Sequence, residues 1–313
     1  MEFNTLSLYH QQLRQITMQT ALQKLAFIIN PGSGNSKTNW KEEIEKYFAN
    51  SSYELFLYEM KDGCSKEEIK EFITKAKPSK VIAAGGDGTV KLVAECLVGN
   101  STPLGILPAG SANGMAREFS IPTDPGEAMK VIEEGNFQSI HLLKVNDEIC
   151  IHLSDAGFNA YVVKKFEEGN VRGQWGYIKA AWKALWNEHR MQVTIRSGDE
   201  FITYDAAMVV LANATMYGNG VVINPEGSIT DDLFEIVIIK KISVAEIVKM
   251  KFTQQEFNKK KTELFQTDSV EIKASRPMHF QVDGEYRGKL NSIHAEIMPG
   301  SLQVIVPAQT KKL

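Results

Sequence analysis

An α/β domain with a parallel sheet, followed by an antiparallel β-sandwich, is the architecture that this sequence predicts. Three observations predict it. Up to about residue 135, short apolar runs alternate with segments of helical period, the pattern of strands joined by crossover helices. Beyond that point, successive strand-like runs are separated by turn chemistry such as Ser-Gly-Asp-Glu at 197–200 and Asp-Gly-Glu at 283–285. The length, 313 residues, suits one large or two medium domains with a sizeable core.

In chain order, "KLAFIIN" at 24–30 reads as a buried strand ending in a turn. The next segment spaces Trp40, Ile44, Tyr47 and Phe48 as a helix face. "SYELFLYEM" at 52–60 is a strand. A helix follows over 65–76, with Ser65 as cap and Glu68 three residues on. Strand "KVIAAG", helix "GTVKLVAECLVG", strand "PLGILPAG" and helix "EAMKVIEEG" complete the alternating half. Later strands are expected within 139–158, 191–213, 233–242, 269–288 and 294–307, interrupted by helical patterns at 174–187 and 243–260. Residues 1–23 then form an N-terminal extension, 24–140 the α/β domain and 141–313 the sandwich, its last residues packing back on the first domain. No internal repeat or low-complexity tract is visible.

Composition narrows the function classes. Hydrophobic residues make up 43% and charged residues 23%, a globular balance. With 35 basic and 38 acidic residues the net charge is −3, so no global attraction to nucleic acid is expected. Cys64, Cys96 and Cys150 are scattered and fit neither a disulfide framework nor a zinc site, which points to a reducing compartment. No apolar run approaches the roughly 18–20 residues of a membrane span. The first twenty residues lack the order of a signal peptide, and Met18 offers an alternative start. The six histidines show no metal-binding spacing.

The strand-to-helix junction "GGDGT" at 85–89 carries the functional signal. No P-loop is present, and "GSGNSK" at 32–37 has only the first two glycines of a dinucleotide fingerprint. Gly85 and Gly86 nevertheless let a ligand approach the backbone, and the amides at the following helix start, where Gly88 lies, suit phosphate oxygens. Asp87 would repel phosphate unless a divalent cation lies between them, or unless it orients a neighbour. Thr89 can cap the helix or donate to an oxygen. The bland alternative is a plain junction with Asp87 as N-cap. Two further strand ends are alike: "NPGSG" with Asn30, Pro31, Ser33 and Gly34, and "GILPAGSANGMAR" with Gly110, Ser111 and Asn113. In a parallel sheet all three turns emerge on one edge and make a polar cleft.

These motifs, with "GNGVVINPEGSITDDLFEIVII" at 218–239 and "VDGE" at 282–285, resemble the diacylglycerol kinase catalytic family, which includes bacterial lipid kinases and sphingosine kinases. The resemblance spans about residues 24–307. It implies an α/β nucleotide-binding domain of NAD kinase and phosphofructokinase type before the β-sandwich. It also implies ATP- and Mg2+-dependent phosphorylation of the hydroxyl of diacylglycerol or a related lipid, in a cleft between the two domains. By similarity the three turns contact ATP, Asp283 is the general base, Asp87 serves catalysis and the nucleotide, and Glu285 and Arg172 belong to the phosphate site. A structural magnesium is implied at the Asp231 side chain and the Ser228 and Leu233 carbonyls. The chain departs from the pattern at Gly114, where relatives often carry an acid, and at Asp232, where a glycine is usual. The alternatives are an NAD kinase, against which "NPGSG", "GSAN" and the late "DGE" argue, and a relative that binds nucleotide or lipid without catalysis.

Chemistry agrees with the resemblance. Transfer to an alcohol needs an in-line hydroxyl, neutralised phosphates and a proton acceptor. Asp283 is suited to that last role, although an Asp-Gly pair is also an ordinary hairpin tip. The substrate lies at a membrane surface, so the expected setting is cytoplasmic, peripheral at the inner membrane face. Trp175, Ile178, Trp182, Leu185 and Trp186 on one helical side, or Val244, Ile247, Val248 and Phe252 with nearby lysines on another, are candidates for lipid contact. Both stripes also suit packing on a sheet.

Overall fold

A computed structural model describes residues 22–34, 38–168, 190–215, 223–224, 227–242 and 261–308. The alternating half is built as its apolar runs dictate. Strand β1 (Gln23–Ile29) buries Leu25 to Ile29 without interruption, as a strand covered on both faces must. Helix α1 (Trp40–Phe48) is capped by Asn39 and buries Trp40, Ile44 and Phe48, one per turn; Tyr47, expected on that face, is exposed. After β2 (Tyr53–Glu59), helix α2 (Lys66–Ala76) opens with a reciprocal capping box between Ser65 and Glu68. Strand β3 (Lys80–Gly85) is wholly buried. Helix α3 (Asp87–Leu97) starts from Gly86 with no side-chain cap, so Asp87 is not the N-cap. Strand β4 (Leu104–Pro108), the short helix α4 (Gly114–Glu118) and helix α5 (Pro125–Glu134), capped by Asp124, complete this half.

The second half adds β5 (Asn136–Val145), β6 (Glu148–Cys150), β7 (Leu153–Gly157), β8 (Met191–Ser197), β9 (Glu200–Ala206), β10 (Met208–Ala212), β11 (Phe234–Ile239), β12 (Thr262–Thr267), β13 (Ser269–Val282) and β14 (Glu285–Val306). Among these strands the pairings are antiparallel. Their inner faces bury Phe234, Ile236, Ile272, Phe280 and Ile293 in one cluster. Helix α6 (Phe158–Glu167) follows β7 directly and was not anticipated from the sequence; nor were α4 and β12.

Strand order positions the site. The first half runs β2-β1-β3-β4, all parallel, with Phe27 beside Ile82 and Ile82 beside Gly105. The sheet does not stop there. Strand β14 pairs antiparallel with β13 and β5, and its Val304 lies parallel to Leu104 of β4. Both halves therefore share one hydrogen-bonded sheet.

Candidate active site

The chain leaves β1 for β2 on one side and returns to β3 on the other. Such a reversal opens a crevice at the carboxyl ends of the two central strands, where open α/β sheets take their ligands. The turns after β1, β3 and β4 meet there. Ser33 Oγ accepts from the Gly86 amide at 3.3 Å, and Asn30 Nδ2 donates to Thr89 Oγ1 at 3.0 Å. Gly34, at φ 67°, lies so close to the Ala109 carbonyl that no Cβ would fit. The third turn is held by two 2.8 Å bonds, from the Gly110 amide to Asn113 Oδ1 and from Asn113 Nδ2 to the Gly110 carbonyl. It also lies against the second turn: a Cβ on Gly110 would sit 2.5 Å from the Gly86 Cα. Asp87 ties the same two turns from another side, its Oδ1 accepting from the Met115 amide at 3.2 Å. Pro31, Gly88 and Ser111 are exposed on this edge, while Thr89 is buried against Gly85.

Across from these turns lies the β13–β14 hairpin. Asp283 and Gly284 have φ values of 49° and 85°, the two positive angles of a type I′ turn, and Val282 pairs with Glu285. The tip does not wave in solvent: the Asp283 amide donates to the Leu153 carbonyl at 2.9 Å. Its carboxylate accepts in return from the amides of Ile151 (3.1 Å), His152 (2.8 Å) and Leu153 (3.3 Å), and from the Cys150 thiol at 3.5 Å. Burial, and then the charge of Asp283, push the Cys150 thiol well above its ordinary pKa. Neighbouring strands are joined the same way, with Ser154 Oγ donating to the Gln281 carbonyl at 2.7 Å.

The link between the two halves is a residue that sequence reasoning passed over. Lys91 lies one turn beyond Asp87, on the same side of α3. Its ammonium stands 3.4 Å from Asp283 Oδ2, 3.8 Å from Glu285 Oε2 and 3.4 Å from the Val282 carbonyl. The Lys91 and Asp283 side chains are 6% and 8% exposed, so this pair is shielded from water. Glu285, 44% exposed, bonds to Arg287 as well. A basic residue on an amphipathic helix reads as solvated; the only available signal was its four-residue spacing from Asp87.

The remaining predicted residues lie apart. Asp231 Oδ1 is buried and has no hydrogen-bond partner among the described residues, which suits a cation; the Asp231 amide bonds to the Ser228 carbonyl at a long 3.5 Å. One carboxylate and two carbonyls, Ser228 and Leu233, are hard oxygen donors of the kind magnesium takes. Asp232 is turned towards His141 instead, at 3.6 Å. A cavity of about 490 Å³ opens beside Ser228, walled by Phe119, Ile229 and Val306, and none of the three turns lines it. Arg172, the tryptophan stripe at 175–186 and the pattern at 243–260 lie outside the described residues. Among the described residues no helix is long and apolar enough to cross a membrane.

A parallel α/β half, an antiparallel β half and glycine turns on the edge between them define the kinase folds of NAD kinase and diacylglycerol kinase type. The fold is similar to that of a diacylglycerol kinase from Bacillus anthracis, with a TM-score of 0.67, 19% identity and coverage of 91% of this chain and 97% of that one. It is also similar to an NAD kinase from Archaeoglobus fulgidus in complex with ATP, at TM-score 0.53 and 11% identity, over 90% and 93% of the two chains. Residues 24–145 match the diacylglycerol kinase catalytic domain, and residues 153–306 match the YegS C-terminal NAD kinase beta sandwich-like domain. The chain belongs to the diacylglycerol kinase catalytic family. It is similar along 248 residues, at 28% identity, to the probable lipid kinase YegS-like of Chromohalobacter salexigens, covering 75% of this chain and 78% of that protein.

Proposed function

We propose that this protein transfers the γ-phosphoryl group of ATP to the hydroxyl of diacylglycerol or a closely related lipid, with magnesium. The observation that carries the reading is the convergence of the turns at 30–34, 85–89 and 110–113 at the sheet's reversal point, with Asp283 brought against α3 from the other half. Amides of the 85–89 turn and the start of α3 hold the phosphates, with Asn30, Ser33 and Asn113 fixing the turns around them. Asp87 is the carboxylate that would hold magnesium with the nucleotide, where the ion neutralises phosphate charge.

In the transfer the alcohol oxygen bonds to the γ-phosphorus, the bond to the bridging β-phosphate oxygen breaks, and ADP leaves. The alcohol proton passes to the Asp283 carboxylate, which also orients the hydroxyl. Asp231 with the Ser228 and Leu233 carbonyls is a second magnesium site, structural in role. The lipid is met at a membrane surface, which makes the protein peripheral on the cytoplasmic side.

The test is transfer of labelled phosphate from ATP to a panel of diacylglycerol, sphingoid base, ceramide and polyprenol in mixed micelles, with NAD as a parallel acceptor. Label in diacylglycerol supports the reading. Label in NAD and in no lipid overturns it.

A further inference from the structure

The Asp283 carboxylate is crowded. Ionised, it offers about four lone-pair positions on two oxygens. Five donors surround it: three backbone amides of residues 151–153, the Cys150 thiol and the Lys91 ammonium. An acceptor hydroxyl can reach the carboxylate only where one of them gives way. The amides are locked in the connection between β6 and β7, and the thiol is fully buried. The ammonium alone rides on a flexible four-carbon stem. It also comes from the nucleotide side, from the helix that the 85–89 turn begins.

Lys91 has a second task in the same place. Its three acceptors, Val282 O, Asp283 Oδ2 and Glu285 Oε2, all belong to the hairpin, while its backbone belongs to α3. One side chain thus sets the distance between the phosphate turn and the proposed base. Removing it would leave a buried carboxylate without its charge partner, a strongly unfavourable state.

We propose that Lys91 is a positioning residue for phosphoryl transfer: it holds Asp283 at the correct distance from the nucleotide turn and yields its place on Oδ2 to the lipid hydroxyl. This inference rests on the transfer reading given above. The lysine exchanges no proton in the step. It acts through Asp283 alone, so its effect should vanish when Asp283 is already disabled.

The experiment compares the full-length protein with Lys91→Met, Lys91→Arg, Asp283→Asn and the double variant Lys91→Met/Asp283→Asn. Labelled ATP and diacylglycerol micelles give kcat and KM, and hydrogen exchange reads the amides of 151–153. Misplacing a reacting group by about 1 Å costs about 100-fold in rate. Lys91→Met should therefore lower kcat about 100-fold with KM for ATP within about threefold, and should speed exchange at 151–153. Lys91→Arg should recover most of kcat, and the double variant should be no slower than Asp283→Asn. Unchanged exchange at 151–153 in Lys91→Met overturns the inference, whether or not the protein phosphorylates lipid. Given wild-type turnover, a multiplicatively slower double variant, or a loss confined to KM, overturns it as well. Wild-type protein that labels no lipid overturns the transfer reading instead.

Discussion

Replacing Gly110 with alanine tests whether the turns form one rigid cradle. The new Cβ would lie 2.5 Å from the Gly86 Cα and 2.9 Å from Asn113 Oδ1, where ordinary contact begins at 3.4 Å. The nearer neighbour is backbone and cannot rotate away, so the second and third turns must part by about 1 Å. Overpacking of this kind costs about 1–3 kcal/mol. Where that cost falls on the bound geometry, it weakens ATP binding about 5- to 150-fold. The loss is visible in two ways. Calorimetric titration of ATP with magnesium gives Kd directly. In thermal melts, nucleotide at 100 times the wild-type Kd adds about 2.7 kcal/mol of stability, whereas a 100-fold weaker binder gains only about 0.4 kcal/mol. Gly110→Ala with a wild-type Kd and an unchanged nucleotide-induced shift would mean that the turns do not close on a common ligand.

Other expectations concern single side chains. Asp283→Asn should cut phosphoryl transfer about 10²- to 10⁴-fold while ATP binds within about twofold of wild type; normal turnover would remove Asp283 from the chemistry. Asp87→Asn keeps an oxygen for the Met115 amide but loses the charge, so magnesium–ATP should bind about tenfold more weakly or worse; unchanged magnesium dependence would refute that role. The Cys96 thiol is pushed up to about 11, chiefly by burial, which lowers its thiolate fraction below pH 9 about 100-fold. Iodoacetamide at pH 8 should therefore label Cys96 about 100-fold more slowly in the folded protein than in guanidinium, and peptide mass spectrometry at equal rates would contradict the burial.

Local signals carried most of the first half. Five consecutive buried residues in β1 and six in β3 leave no doubt about a covered strand, and Ser65 with Glu68 announces the start of α2. The same kind of signal is missing at α6. There β7 passes into the helix through Gly157, at φ 105°, and the position directly before Phe158 is this glycine, with no Ser, Thr, Asp or Asn side chain to mark a start. Its Tyr161, Val162 and Val163 are strand-favouring residues, so local preference does not announce a helix and tertiary packing decides it. The turns of the site were legible because the same glycine, asparagine and serine chemistry recurs at the carboxyl ends of three parallel strands. Lys91 was not, because what gives it meaning is a carboxylate 192 positions later in the chain. The pairing of Val304 with Leu104 is equally nonlocal, and no pattern within either segment specifies it.

Strand β14 runs for 22 residues, about 70 Å at the usual rise. It begins beside the proposed base and ends against β4, so a single strand crosses both halves, with irregularities near Gly288 and between Met298 and Leu302. The two halves are thus joined through one continuous strand, and the turns with the side chains that span them line the edge where they meet. Cutting the chain after residue 145 would remove that strand. Without the splint supplied from the far end of the chain, the β4 edge would be bare and open to pairing with any neighbour.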